Sequence, residues 1–106
     1  MARALDIYWD NMRAGRLEEI SPTSYRFEYD ETYRLSEQPP VSLTLPKSQS
    51  VYVSNILFPC FINLLPEGVN RKTICRRNKI DEHDFFGMLM FFAGKDVIGN
   101  LEFRLV

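Results

Sequence analysis

The sequence predicts an α+β fold, a small and mostly antiparallel sheet with two to three helices, and three observations point to it. Short segments of alternating apolar and polar residues occupy the first half: ALDIYW at Ala4–Trp9, RLEEIS at Arg16–Ser21 and SYRFEYD at Ser24–Asp30. The second half instead carries longer apolar runs around Ile56–Leu65 and Phe85–Ala93, separated by a basic stretch. With 106 residues, 45% of them hydrophobic and 13% aromatic, the chain is sized for a single domain, 1–106, with its own core.

Taken in order, the first strand sets Leu5, Ile7 and Trp9 against Asp6 and Tyr8, the period of a half-buried strand. DNMRAG follows as turn material, with Gly15 available for a positive φ. In the third segment Tyr25, Phe27 and Tyr29 share one face and Arg26 and Glu28 the other, so a three-strand meander to about residue 29 is predicted. DETYRLSEQPP reads as a surface connection closed by Pro39 and Pro40. VSLTLP reads as a further strand, with Val41, Leu43 and Leu45 facing one way until Pro46 stops it.

NILFPCFINLL is apolar nearly all round, which predicts a helix buried on most sides, with Pro59 in its first turn where a missing N–H costs nothing. EGVNRKTICRRNK predicts a second helix with Val69, Thr73 and Ile80 as inner marks. Glu67 at its start and Arg76, Arg77 and Lys79 at its end have the polarity the helix dipole favours. EHDFFGMLMFFA predicts a third helix, N-capped by Asp81, with Asp84 completing a short-armed capping box. Ile80 and Phe85 form a hydrophobic staple, and Gly94 is the C-cap. Gly87 inside that helix points to a close approach. DVIGNLEFRLV is the last strand, with Gly99 at a bulge.

The net charge is −1 and the pI about 5.8, so no global basic field attracts nucleic acid. MARALDIYWDN places Asp6 and Asp10 where a secretory signal has its apolar core, and no apolar run reaches membrane-spanning length. Cys60 and Cys75 are therefore expected as free thiols in a reducing compartment, and the protein as cytoplasmic, with no membrane partner.

Chemistry is sparse. His83, the single histidine, falls at a helix start; Cys60 lies in an apolar run, and Cys75 on a helix without a catalytic partner. Asp81, Glu82 and Asp84 read as helix-capping residues. Gly94-Lys95-Asp96 lacks both the strand–loop–helix order and the residue string of a phosphate loop. No Cys/His set has metal spacing. RKTICRR is a basic cluster without interleaved aromatics, which suits a solvated helix face or an acidic protein partner better than single-stranded nucleic acid. These residues describe no enzyme and no cofactor site; they describe an interaction module.

Five strings in order carry a resemblance: DNMRAGRL at Asp10–Leu17, YRFEYD at Tyr25–Asp30, VSLTLP at Val41–Pro46, FINLLPEG at Phe61–Gly68 and GKDVIGNLEF at Gly94–Phe103. Together they resemble the N-terminal subdomain of HipA-type serine/threonine kinase toxins, over essentially the whole chain. Pro59-Cys60 departs from the polar–aromatic helix turn that the family often has ahead of Phe61.

The resemblance implies that the ATP-binding and catalytic parts of such a kinase are absent here, so no kinase residue carries over. It implies a free-standing, HipS-like antitoxin of a tripartite toxin–antitoxin system. The partners would be a HipA-like kinase lacking its first subdomain and a helix-turn-helix DNA-binding protein, with no direct nucleic-acid contact. The start at Met1 and the strand ending at Val106 favour an independent chain over an N-terminal piece of a kinase. The partner-binding candidates are Leu65, Pro66, Glu67, Gly68 and Val69, as a protruding loop aimed at the kinase's nucleotide site or lid. Arg71, Arg76 and Arg77 are the salt-sensitive part of the same contact.

Overall fold

A computed structural model describes residues 3–65, 68–93 and 101–106, with 68–70 as backbone only. Its centre is the predicted meander: β1 (Arg3–Trp9), β2 (Met12–Ser21) and β3 (Ser24–Tyr29). The β1–β2 turn is Asp10-Asn11, at φ 48° and 66°, the pair of left-handed residues that matches a tight hairpin to the strand twist. Gly15 is not part of that turn. It lies within β2, opposite Ile7 and Tyr29, next to a register shift between Ile7 and Tyr8. A Cβ there would stand 2.3 Å from the Glu28 carbonyl oxygen and 3.0 Å from the Phe27 ring. Glycine is needed for that close approach, not for a positive φ.

Asp30 then caps a single helical turn, α1 (Glu31–Arg34), accepting from the amides of Thr32 and Tyr33. The predicted surface connection thus contains a core residue: Tyr33 is fully buried, its ring parallel to Tyr29 at 6.1 Å. VSLTLP is not a strand. Leu43 is 94% exposed while Leu45 is 2% exposed, and the Ser42 hydroxyl accepts from the Thr44 amide within a turn. The Tyr29 hydroxyl holds this segment, donating to the Leu45 carbonyl and accepting from the Val41 amide. A side chain thereby supplies backbone hydrogen bonds that a strand neighbour would otherwise provide. The fourth strand is instead β4 (Val51–Ser54), paired with β3.

With β5 (Leu101–Leu105) beside β1, the sheet has the order β4-β3-β2-β1-β5, antiparallel throughout. One face carries Leu5, Ile7, Leu17, Phe27 and Phe103 into the core. The other is polar, because a strand alternates its side chains between faces.

The apolar run forms one helical turn, α2 (Pro59–Ile62), rather than a helix through Leu65. Pro59 takes the first turn, as predicted. Leu57, Phe58, Phe61 and Leu65 are all buried, and the Phe61 ring meets Phe27 and Phe103 edge-on or tilted at 5.9 and 5.8 Å. The all-round apolar character thus reports burial rather than helix length.

α3 (Gly68–Asn78) ends with Lys79 at φ 57° and the Ile80 amide bonded to the Cys75 carbonyl at 2.8 Å, a Schellman closure with lysine in the left-handed position. Its buried mark is Cys75, whereas Thr73 is exposed. α4 (Phe85–Phe92) turns Phe86, Met88 and Leu89 into the core. Its cap is Asp84, not Asp81: Asp84 accepts from the Gly87 amide, and Asp81 accepts from the His83 amide in the turn before. The three-residue shift removes the predicted box and staple spacing. Gly94 and Gly99 lie outside the described residues.

Candidate partner-binding surface

α3 supplies the basic residues, and the helical repeat decides which of them meet. Cys75 marks the inward side. Lys72 and Arg76, four apart, lie on one flank, whereas Arg77 is about 100° further round, towards the side opposite Cys75. Arg71 lies nearer the core and places its guanidinium over the Phe85 ring at 5.3 Å. The three predicted arginines therefore do not form one patch. Arg71 and Arg76 flank a common surface through Lys72, and Arg77 faces elsewhere.

The opposite wall of that surface is the turn from Ile80 to Phe85, held by a four-residue polar cluster at the end of the sheet. Arg3 donates from Nε and Nη2 to Glu19 at 2.7 and 2.8 Å, and from Nη1 and Nη2 to Asp84 at 3.0 and 2.8 Å. The Tyr25 hydroxyl donates to Glu19 at 3.1 Å, and the guanidinium lies 5.2 Å from the Phe86 ring centre. Paired forks of this kind fix orientation as well as distance. The Arg3 hydrogen bonds hold the Asp84 carboxyl below its usual range, and the same bonds raise the Arg3 pKa. Gly87 belongs to this junction, since a Cβ there would lie 2.3 Å from Asp84 Oδ2 and 3.3 Å from Arg3 Nη1. The approach predicted at Gly87 is thus made by its own cap and the arginine that clamps it.

Three shallow clefts adjoin along this wall. The first is bounded by Lys72, Cys75, Arg76, Ile80 and Glu82, and the second by Arg71, Lys72, Glu82, His83 and Phe85. The third is more apolar, formed by Tyr25, Ile56, Leu57, Ile62 and Phe85 with His83 and Asp84 at its edge. Shared walls make them one trough, basic at one end and apolar at the other.

Of the predicted loop, Leu65 is a core residue at 5% exposure, its amide bonded to the Ile62 carbonyl. It anchors the segment and does not protrude. Gly68 and Val69 already belong to α3, and Pro66 and Glu67 lie outside the described residues. Lys72 and Ile56 were not singled out by sequence, and Glu82 and Phe85 were read there as helix-start residues, a cap and one side of a staple. The four-residue spacing of Lys72 and Arg76 was a usable signal, whereas nothing local brings Ile56 to His83. His83 is exposed at its turn, as predicted, and both cysteines are free, with burial pushing the Cys60 thiol up. Among the described residues no helix is long and apolar enough to cross a membrane.

A meander widened to five antiparallel strands, with short helices over one face, defines a small α+β domain. Residues 5–104 match the family described as HipA N-terminal domain, and the chain belongs to that family. It superposes on a solved structure of the N-terminal domain of HipA toxin with a TM-score of 0.73 and 27% identity, covering 98% of this chain and 92% of that one. It is also 32% identical over 80 residues to an uncharacterized protein of Haemophilus influenzae, covering 76% of this chain and 72% of the relative. Both HipA matches are to the N-terminal domain rather than to a kinase domain, and they associate the chain with HipA-type toxins.

Proposed function

We propose that the chain is a non-catalytic regulatory subunit, a HipS-like antitoxin that binds and restrains a HipA-like serine/threonine kinase lacking its own first subdomain. A helix-turn-helix DNA-binding protein is the proposed third member of the complex. The observation that carries the reading is the extent of the match: residues 5–104 are spent on building the N-terminal domain. That match is to the N-terminal domain rather than to a kinase domain, which supports a role through binding. Exposed Arg76 and the stacked Arg71 provide the charged part of the contact, with Arg77 on another side of α3 outside it, and buried Leu65 anchors the approach into the first turn of α3.

Co-expression with such a kinase, followed by purification and autophosphorylation assays, tests the reading. A stoichiometric complex with suppressed phosphorylation is the expected result. A complex that forms and leaves phosphorylation unchanged overturns the antitoxin role, and leaves the chain as a detached structural piece of a kinase. Replacing Glu67→Lys and Val69→Asp together is expected to relieve inhibition while the complex still forms. Undiminished inhibition by this variant would refute a role for the segment. DNA retention is expected only when the helix-turn-helix protein is present, given the net charge of −1.

A further inference from the structure

The trough along Ile80–Phe85 is asymmetric, and the asymmetry specifies an occupant. At its basic end Lys72 and Arg76 are exposed or line the cleft, and no carboxylate among the described residues pairs with either. Elsewhere the described arginines of the sheet and α1 (Arg3, Arg13, Arg16, Arg26, Arg34, Arg104) each meet a carboxylate within 3.3 Å. Of the two carboxylates lining the trough, Asp84 is already paired with Arg3, which leaves Glu82 alone beside the two cations, too few to neutralise them. At the other end Ile56 is 57% exposed beside Leu57, Ile62 and Phe85, a small apolar floor open to solvent.

We infer that this trough seats an extended segment of a partner protein in which an apolar anchor side chain is followed by acidic residues. The anchor fills the floor at Ile56 and Phe85, and the carboxylates run toward Lys72 and Arg76. Charge complementarity selects the acidic segment over a basic one, and the apolar floor selects it over a free anion or a nucleic-acid backbone, which have no apolar side chain to bury. Burial of one anchor gives affinity, while the cations set orientation and speed encounter. The wall is rigid enough to be read, because Arg3 clamps Asp84 at its centre. The inference rests on the proposed role as a protein-binding subunit, and it names the surface and the partner chemistry that this role would use.

Selection of short random peptides displayed on phage against the immobilised whole chain tests it without any kinase. The expected result is enrichment of peptides pairing an apolar residue with two or more Asp or Glu. The best of them, added to 15N-labelled protein, should shift amides confined to residues 55–57, 71–76 and 80–85. Lys72→Glu combined with Arg76→Glu should weaken that peptide about tenfold or more and turn a repeated selection toward basic peptides. Ile56→Ser should weaken it without changing the charge preference. No enrichment, an unchanged selection on the charge-reversed variant, or shifts centred on another face would each overturn the inference. None of these outcomes depends on whether a kinase is inhibited, so the two readings fail separately.

Discussion

The outer face of the sheet and the exposed flank of α3 carry the same kinds of residue and treat them in opposite ways. On the sheet, Arg13 and Arg16 both reach Asp6, at 3.1 and 3.3 Å, Arg26 bridges Glu18 and Glu28, and Arg104 pairs with Glu102 while covering the Tyr8 ring at 3.9 Å. On α3, Lys72, Arg76 and Arg77 have no carboxylate partner among the described residues. The difference comes from geometry. Antiparallel register puts Asp6 directly opposite both Arg16 and Arg104, and Glu18 opposite Arg26, so cancellation is built into the pairing. A helix offers neighbours only three and four positions away, and here Lys72 meets Arg76, a like-charge pair. Exposed ion pairs add little stability, roughly 0–1 kcal/mol each. Their main effect on the sheet is to leave that face electrically quiet, while the α3 flank keeps a field that a partner can feel.

The sheet should therefore break by sterics and lost buried bonds, and the α3 flank only by lost binding. Gly15→Ala should have the largest effect, destabilising by about 3 kcal/mol or more, because the Glu28 carbonyl in its way is backbone and cannot swing aside. Urea unfolding measures this, and an effect below that of an ordinary surface substitution would refute the close-approach account.

Next, Arg3→Met should cost about 2–3 kcal/mol, since Glu19 at 8% exposure is left without its cation and Asp84 loses its clamp. The pH dependence follows from the depressed Asp84 carboxyl. Its contribution is fully present above the unfolded-state value near 4 and is lost as pH falls through the lower folded-state value. The stability difference between wild type and Arg3→Met should hence narrow below about pH 4. A gap that stayed constant down to pH 2 would contradict this linkage.

Tyr29→Phe should be milder, at about 1–2 kcal/mol, from loss of the two bonds that hold Val41 and Leu45. Burial pushes the Tyr29 hydroxyl up to about 12, so its contribution persists below about pH 10 and disappears as pH rises through 12. An alkaline titration of stability should be flatter in Tyr29→Phe. The smallest change is expected for Lys72→Glu with Arg76→Glu, within about 0.5 kcal/mol of wild type in thermal or urea unfolding. A large destabilisation there would mean that these cations serve the fold, and it would collapse the contrast between the two faces.

Sequence patterning found what is local. The alternation of Leu5 and Ile7, and of Tyr25, Phe27 and Tyr29, is a property of adjacent residues, and these strands formed as read. Pro59 took a first helical turn because its missing N–H leaves few other helical places. The errors lie where two local solutions were nearly equal. VSLTLP alternates as a short strand would, but the Tyr29 hydroxyl bonds it as a loop, and Val51–Ser54, which the sequence reading passed over, pairs with β3 instead. Asp81 and Asp84 were equally good caps by type. Arg3, 81 residues away from Asp84, selects the second.

The candidate site shows the same division. The basic character of α3, the apolar segment before it and the membership of a HipA-like domain were already determined by the order of residues, because they need only composition, periodicity and short motifs. Which cations stay unpaired, that Leu65 turns inward, and that Ile56 stands beside His83 and Phe85 were decided only when the chain closed on itself. Periodicity states which residues share a face of their own element. Whether that face then meets a carboxylate, a core or open solvent depends on elements brought in from far along the chain, and that is a property of the tertiary structure alone.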